Sequence, residues 1–222
     1  MNLDRQTGKQ RGIAYSHFVQ GEILVAQGKL DEARSAHEEA LKIRTQMGEK
    51  TTTEESRLAL AILSVEAGHP DEAKQTAREI RDQAHAEKEP QIEIEAEVVL
   101  ARSLLALGKP ADALIEIDNA ERLSRSGDRL EQLEVGILAA RVHAAGKPTQ
   151  DQTKQLSALI AHSKTYGCVS CELEARLAFG EIELHSEHKS AGRTLLAQLE
   201  KDSAAMGFNL ISRKAHTAAA IN

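Results

Sequence analysis

The residues with the strongest claim on chemistry are the two cysteines of Cys168-Val169-Ser170-Cys171. Two thiols three positions apart suit half of a metal site or a redox pair, and a helix N-terminus would stabilise a thiolate there. A structural zinc needs two further ligands. His185 and His188 stand at the far end of the same expected helix, about 25 Å away at 1.5 Å per residue. His162 is nearer but supplies one ligand. No metal set is complete, so no cofactor is expected. The plainer reading makes Cys168 and Cys171 two small apolar side chains in a helix junction. The nine histidines are scattered, and none stands with an acid and a nucleophile in a triad-like arrangement. No GxGxxG or Walker-type loop occurs. Glu38-Glu39, Glu54-Glu55 and Glu93/Glu95/Glu97 read as solvated faces and first-turn charges. The sequence holds no catalytic constellation and is read as that of a non-enzyme.

Composition narrows the class further. Of 222 residues 41% are apolar, yet aromatics make up only 2% and Trp is absent. The core must be built from Leu, Ile, Val and Ala, which favours closely spaced helices over a β-sandwich. The formal charge is −6, from 28 Lys plus Arg and 34 Asp plus Glu, and no basic block stands out. The electrostatic footprint of a nucleic-acid binder is therefore missing. No apolar run approaches the ~20 residues of a membrane helix, and the N-terminus has no hydrophobic signal region. Two cysteines make no disulfide framework, so a reducing, cytoplasmic setting is expected.

The elements that would carry any site are helices. No stretch alternates with period two over a useful length, so the fold class is all-α. Apolar positions Ile13, Ala14, Phe18, Ile23 and Leu24 recur at helical spacing up to Gly28. Asp31 is expected to cap a second helix that Gly48 stops, and Thr51-Thr52-Thr53 to cap a third that ends at Gly68. Pro70, Pro90 and Pro110 open the fourth, fifth and sixth. Gly127-Asp128 is a stop followed by a cap. Four more helices are expected over about 130–145, 149–166, 169–185 and 190–206, and an amphipathic one over 208–219.

The same turn is written repeatedly. Gly28-Lys29-Leu30-Asp31-Glu32-Ala33 returns as Gly68-His69-Pro70-Asp71-Glu72-Ala73, as Gly108-Lys109-Pro110-Ala111-Asp112-Ala113 and, in part, as Gly146-Lys147-Pro148. The steps are 40, 40 and 38 residues, and a fifth unit places Glu187 in the turn and Gly192 where the others have Ala. Gly closes one helix in left-handed geometry, and the small residue lets the next fold back closely. Such periodicity signals a helical solenoid over 1–222, with repeats at about 11–48, 53–88, 90–126, 128–166 and 168–206 and a capping helix at 208–219.

The pattern Gly21, Gly28, Ala33, Ala40 resembles the tetratricopeptide repeat, and Ala61/Gly68/Ala73 and Ala101/Gly108/Ala113/Ala120 repeat it. Ala139/Gly146 follows with Asp151 where Ala is expected, and Gly180 with Gly192. The ~40-residue spacing is that of a longer-helix variety, which resembles C-terminal arrays of bacterial Ser/Thr kinases and transcription regulators. The resemblance implies a right-handed α-solenoid of about five repeats that binds a protein or peptide along its first helices. By register the groove residues are Tyr15, Phe18 and Glu22; Glu55, Leu58 and Ile62; Glu95, Val98 and Arg102; Gly136, Ala140 and His143; Glu174, Leu177 and Glu181. The Lys/Asn pair of the carboxylate-clamp version is absent. Residues 4–12 read as an inter-repeat loop, and Ile13 and Phe18 lack an obvious cover. That makes a longer array, or self-association through an uncapped end, the alternative expectation.

Overall fold

The computed structural model describes residues 2–146, 150–187 and 189–220. Eleven helices and no strand occur among them. The chain divides into two compact units, Met1–Leu107 and Gly108–Asn222. The first holds α1 (Asn2–Ala26), α2 (Leu30–Met47), α3 (Lys50–Glu66), α4 (Pro70–Glu87) and α5 (Pro90–Ala106). The second holds α6 (Pro110–Ser124), α7 (Arg129–Gly146), α8 (Gln150–Tyr166), α9 (Val169–Leu184), α10 (Lys189–Ala205) and α11 (Asn209–Ala220). Within each unit consecutive helices pack on one another, and α3 also meets α5 as α7 meets α9.

The turns are closed as glycine spacing dictates. Gly28, Gly68 and Gly108 have φ of 73°, 84° and 68°, a region that side chains strain to reach. The fourth elbow, Lys147-Pro148-Thr149, lies outside the described residues, as does His188.

The second helix of each pair buries one stripe at spacing four, three, four. In α2 the stripe is Ala33, His37, Ala40 and Arg44; in α4 it is Ala73, Ala77, Ile80 and Ala84. In α6 it is Ala113, Ile117, Ala120 and Ser124, and in α10 it is Gly192, Leu196, Leu199 and Ser203. The buried residues of α8 are Leu156 and Ser163. That register puts Gln152, four residues before Leu156, in the small-residue position and leaves Asp151 exposed. The expected equivalence of Asp151 is thereby corrected by one residue.

First helices are buried on two faces. In α9, Cys171, Ala175, Ala178 and Ile182 join a cluster with Leu133, Ile137 and Leu156. Its other face, Leu173, Leu177 and Leu184, joins Leu196, Leu199 and Ile211. A helix enclosed this way carries no clean polar face.

Two expectations about helix starts are corrected. Residues 4–12 are not a loop; they belong to α1. Arg5, Gln6, Lys9, Gln10 and Arg11 are good helix formers, and two exposed glycines do not outweigh them. Arg11 is also tied to Glu49 by an ion pair. Asp31 and the threonines do not cap: α2 starts after Lys29 and α3 after Glu49, without side-chain caps. Gly48, a left-handed C-cap, and Glu49 alone separate the helices, too short a link for the threonines to precede α3. Asp128 does cap, its Oδ1 accepting the Glu131 N–H at 2.9 Å.

Gly192 marks the closest approach. A Cβ there would lie 2.5 Å from the Leu184 backbone N and 2.8 Å from its Cα. Helix propensity alone would make Gly192→Ala stabilising by about 1 kcal/mol. The clash with backbone reverses the sign, and a loss of about 1–3 kcal/mol is expected in urea denaturation.

Candidate functional site

The expected groove residues separate by position. In the first, second and fifth triads the middle member turns toward the second helix of its own pair. Leu58, 2% exposed, packs with Ala77 and Ile80 of α4. Leu177, wholly buried, packs with Leu196 and Leu199 of α10. Phe18 lies edge-on to the His37 ring of α2, with centroids 5.2 Å apart. Val98 is partly buried. Ala140 and Gly136 belong to an inexact register: Ala140 is wholly buried against α8 and α9, and Gly136 approaches the side chain of Leu159. The repeat of 39 residues at this point brings Glu134, Ile137 and Arg141 to the places that Glu95, Val98 and Arg102 hold on α5. Ile137 is buried like Leu58 and Leu177.

The outer members stay accessible. Tyr15 is 66% exposed. Glu22 and Glu95 are exposed, and Ile62, Arg102, His143, Glu174 and Glu181 are half-buried. In the second unit Arg141 binds Glu181 at 2.7 Å and Glu174 at 3.4 Å, joining α7 to α9 through groove-register side chains. His143 Nε2 lies 3.2 Å from Asp118 Oδ1. With Glu121 these two form the single group of metal-type donors among the described residues. Three mostly open side chains fall short of a closed tetrahedral site.

The cysteines depart from expectation. Cys168 and Cys171 form a disulfide, with Cα atoms 5.4 Å apart. They are neither free apolar side chains nor thiolate ligands. Cys168 is the N-cap of α9, and its Sγ accepts the Cys171 N–H at 3.2 Å. Sequence spacing made the bond geometrically feasible; Cys168 as N-cap and Cys171 as third residue of α9 stand on the same side of the helix start.

The first pair contains a polar cluster that sequence reasoning missed. Arg44 is 4% exposed, and its Nη1 donates to the Thr52 carbonyl at 2.7 Å and to Ser56 Oγ at 2.8 Å. The same nitrogen is 3.4 Å from Glu55 Oε2, and the guanidinium sits 4.4 Å from the Phe18 ring centroid. His37, fully buried, lies 3.3 Å from exposed Glu22. Its ring occupies the space a side chain on Gly21 would need: a Cβ there would be 2.5 Å from Nε2. The available signal was periodic. His37 and Arg44 stand where the next pair has Ala77 and Ala84.

Burial lowers the Arg44 pKa, opposed by Glu55 and Glu49. Burial likewise pushes Glu55 above its ordinary value, against the attraction of Arg44. Two of the open hollows lie beside first helices. One of about 480 Å³ lies on α1 beside Tyr15, Val19 and Ile23. The other, about 460 Å³, lies between α7 and α8 and is lined by Leu133, Leu159, His162 and Tyr166.

The comparisons agree with this geometry. The tetratricopeptide repeat family matches residues 14–39, 55–79 and 95–114. No curated protein matches. Among solved structures the chain is similar to the Podosopora anserina putative kinesin light chain nearly identical TPR-like repeats. One crystal structure of it, of a variant, gives a TM-score of 0.54 at 17% identity. A second gives 0.53 at 16%. Each match covers 86% of this chain and 95% of the other. The likeness establishes the solenoid fold. No helix among the described residues is long and apolar enough to cross a membrane.

Removing Arg44 strands the acceptors it serves, so Arg44→Ala is expected to cost about 3 kcal/mol in urea denaturation. Glu55→Gln should cost less than about 1 kcal/mol. Because the folded state raises the Glu55 pKa, wild type should gain stability relative to Glu55→Gln as pH falls toward the carboxylate range.

Proposed function

We propose that this chain, which carries tetratricopeptide repeats, is a non-enzymatic scaffold that holds a protein or peptide segment along the first helices of its pairs. Such repeats commonly mediate protein–protein interaction. The observation that carries the reading is the division within each groove triad. Middle side chains such as Leu58 and Leu177 are fixed in the core, while Tyr15, Glu22, Arg102 and Glu181 keep exposure on the same helices. Rigid helices displaying a few mixed apolar and charged groups suit recognition by selected contacts. A chaperone-type carboxylate tail does not fit. The Lys/Asn pair that would clamp it is replaced by Phe18/Glu22, Leu58/Ile62 and Val98/Arg102.

A second reading, self-association, is favoured by one surface. Tyr15, Val19 and Ile23 follow one another at four-residue spacing on α1, and Tyr15 and Ile23 are 66% and 52% exposed. An apolar stripe of this kind marks an interaction surface. A second copy of the chain, laid stripe to stripe, would cover it.

Two measurements separate the readings. Phage-displayed random peptides should yield binders that lose about tenfold or more in affinity, roughly 1.4 kcal/mol, to Arg102→Glu and Tyr15→Ala. Failure to select any such binder rejects the scaffold reading. Sedimentation over about a hundredfold range of concentration tests the other. A dimer weakened by Ile23→Asp supports self-association, and a monomer throughout rejects it.

A further inference from the structure

We propose that Cys168–Cys171 is a reversible redox site, opened by a low-molecular-weight thiol and closed by the corresponding disulfide, with Cys168 as the exchanging sulfur. The reasoning starts from asymmetry between the two sulfurs. Cys171 is 3% exposed and sits among Leu133, Ile137, Leu156 and Ala175. Cys168 is only partly buried and lies at the start of α9. An incoming thiolate reaches Cys168 and not Cys171.

The surroundings also decide which sulfur holds negative charge. The first turn of a helix leaves its N–H groups unpaired and directs a partial positive charge outward. Cys168 Sγ already accepts one of those groups, the Cys171 N–H, and Ser170 Oγ is 3.4 Å away. Both contacts favour a thiolate at Cys168. Glu172, in the same turn, would oppose it. Its carboxylate is held by Lys164 at 3.6 Å and Arg176 at 3.7 Å, which offset its charge. Cys171, in apolar company, keeps its proton once released.

The exchange balances as follows. A thiolate RS⁻ attacks Cys168 Sγ, the Cys168–Cys171 bond breaks, and Cys171 leaves with the electron pair and takes a proton from water. The mixed disulfide at Cys168 is then attacked on its outer sulfur by a second RS⁻, which releases RSSR and the Cys168 thiolate. Two small thiols are oxidised and the protein gains two electrons and the protons that go with them. The reverse sequence, with RSSR as oxidant, restores the bond. This site is independent of partner binding, so its failure leaves the scaffold reading untouched.

Glutathione is the probe. The full chain is equilibrated in buffers of varied reduced-to-oxidised glutathione ratio, quenched in acid, alkylated and weighed by mass spectrometry. The disulfide should pass from closed to open within that range while the circular dichroism stays helical. After reduction, iodoacetamide should modify Cys168 at least about tenfold faster than Cys171, as a stabilised and more accessible thiolate requires. Cys171→Ser should accumulate glutathione at Cys168, and Cys168→Ser should not accumulate it at Cys171. Resistance to every glutathione ratio until the chain unfolds would overturn the proposal, as would equal alkylation of the two thiols. If a serine variant fails to fold, the wild-type titration and alkylation rates decide the matter.

Discussion

How closely the two helices of a pair approach governs everything else in this protein. A core with almost no aromatic residues gains its stability from many small contacts, which fall off steeply with separation. Ala33, Ala73 and Gly192 hold the point where α2, α4 and α10 turn back on their partners, and neither alanine retains any exposure. A larger residue there would hold the helices apart along their whole length. At Gly192 the constraint is tightest, because the opposing atoms are backbone and cannot rotate away.

Close approach elsewhere is achieved by exchanging volume between facing helices. Where α4 has Ala77, α2 has the His37 ring, and the residue it faces is Gly21. Where α10 has Leu196, the facing residue is Gly180, whose Cβ would lie 2.7 Å from a leucine methyl. The third member of this arrangement is Arg44, at the position of Ala84. Its side chain reaches past Phe18 to hydrogen-bond Thr52 and Ser56 at the start of α3. A buried guanidinium is tolerated because its Nη1 has two acceptors, a ring face lies against it, and Glu55 stands near.

The same enclosure limits which groups can meet a partner. A first helix packed against its own second helix and against the next first helix has little surface left. Leu58 and Leu177 are used up in this way, and Arg141 spends its charge on Glu174 and Glu181. What remains outside is a small set of side chains of mixed character. Of the cysteine pair, Cys168 escapes the enclosure at a helix start and stays reachable, while Cys171 is enclosed.

The sequence alone determined the helices, since Gly and Pro positions and 3.6-residue spacing act within a few residues of chain. Most of the expected helix boundaries lie within one or two residues of those observed. Chemistry that depends on one residue type, such as Asp128 capping α7 or Gly108 turning left-handed, was equally legible. Tertiary packing decided what local pattern leaves open. It moved the repeat register to Gln152 and Arg141, and turned Phe18, Leu58 and Leu177 inward. It also joined Cys168 to Cys171 and gave Arg44 its partners. Each of these depends on which of two apolar faces meets which neighbour, and on distances between residues up to tens of positions apart. Hydrophobic spacing within one helix carries no information about either.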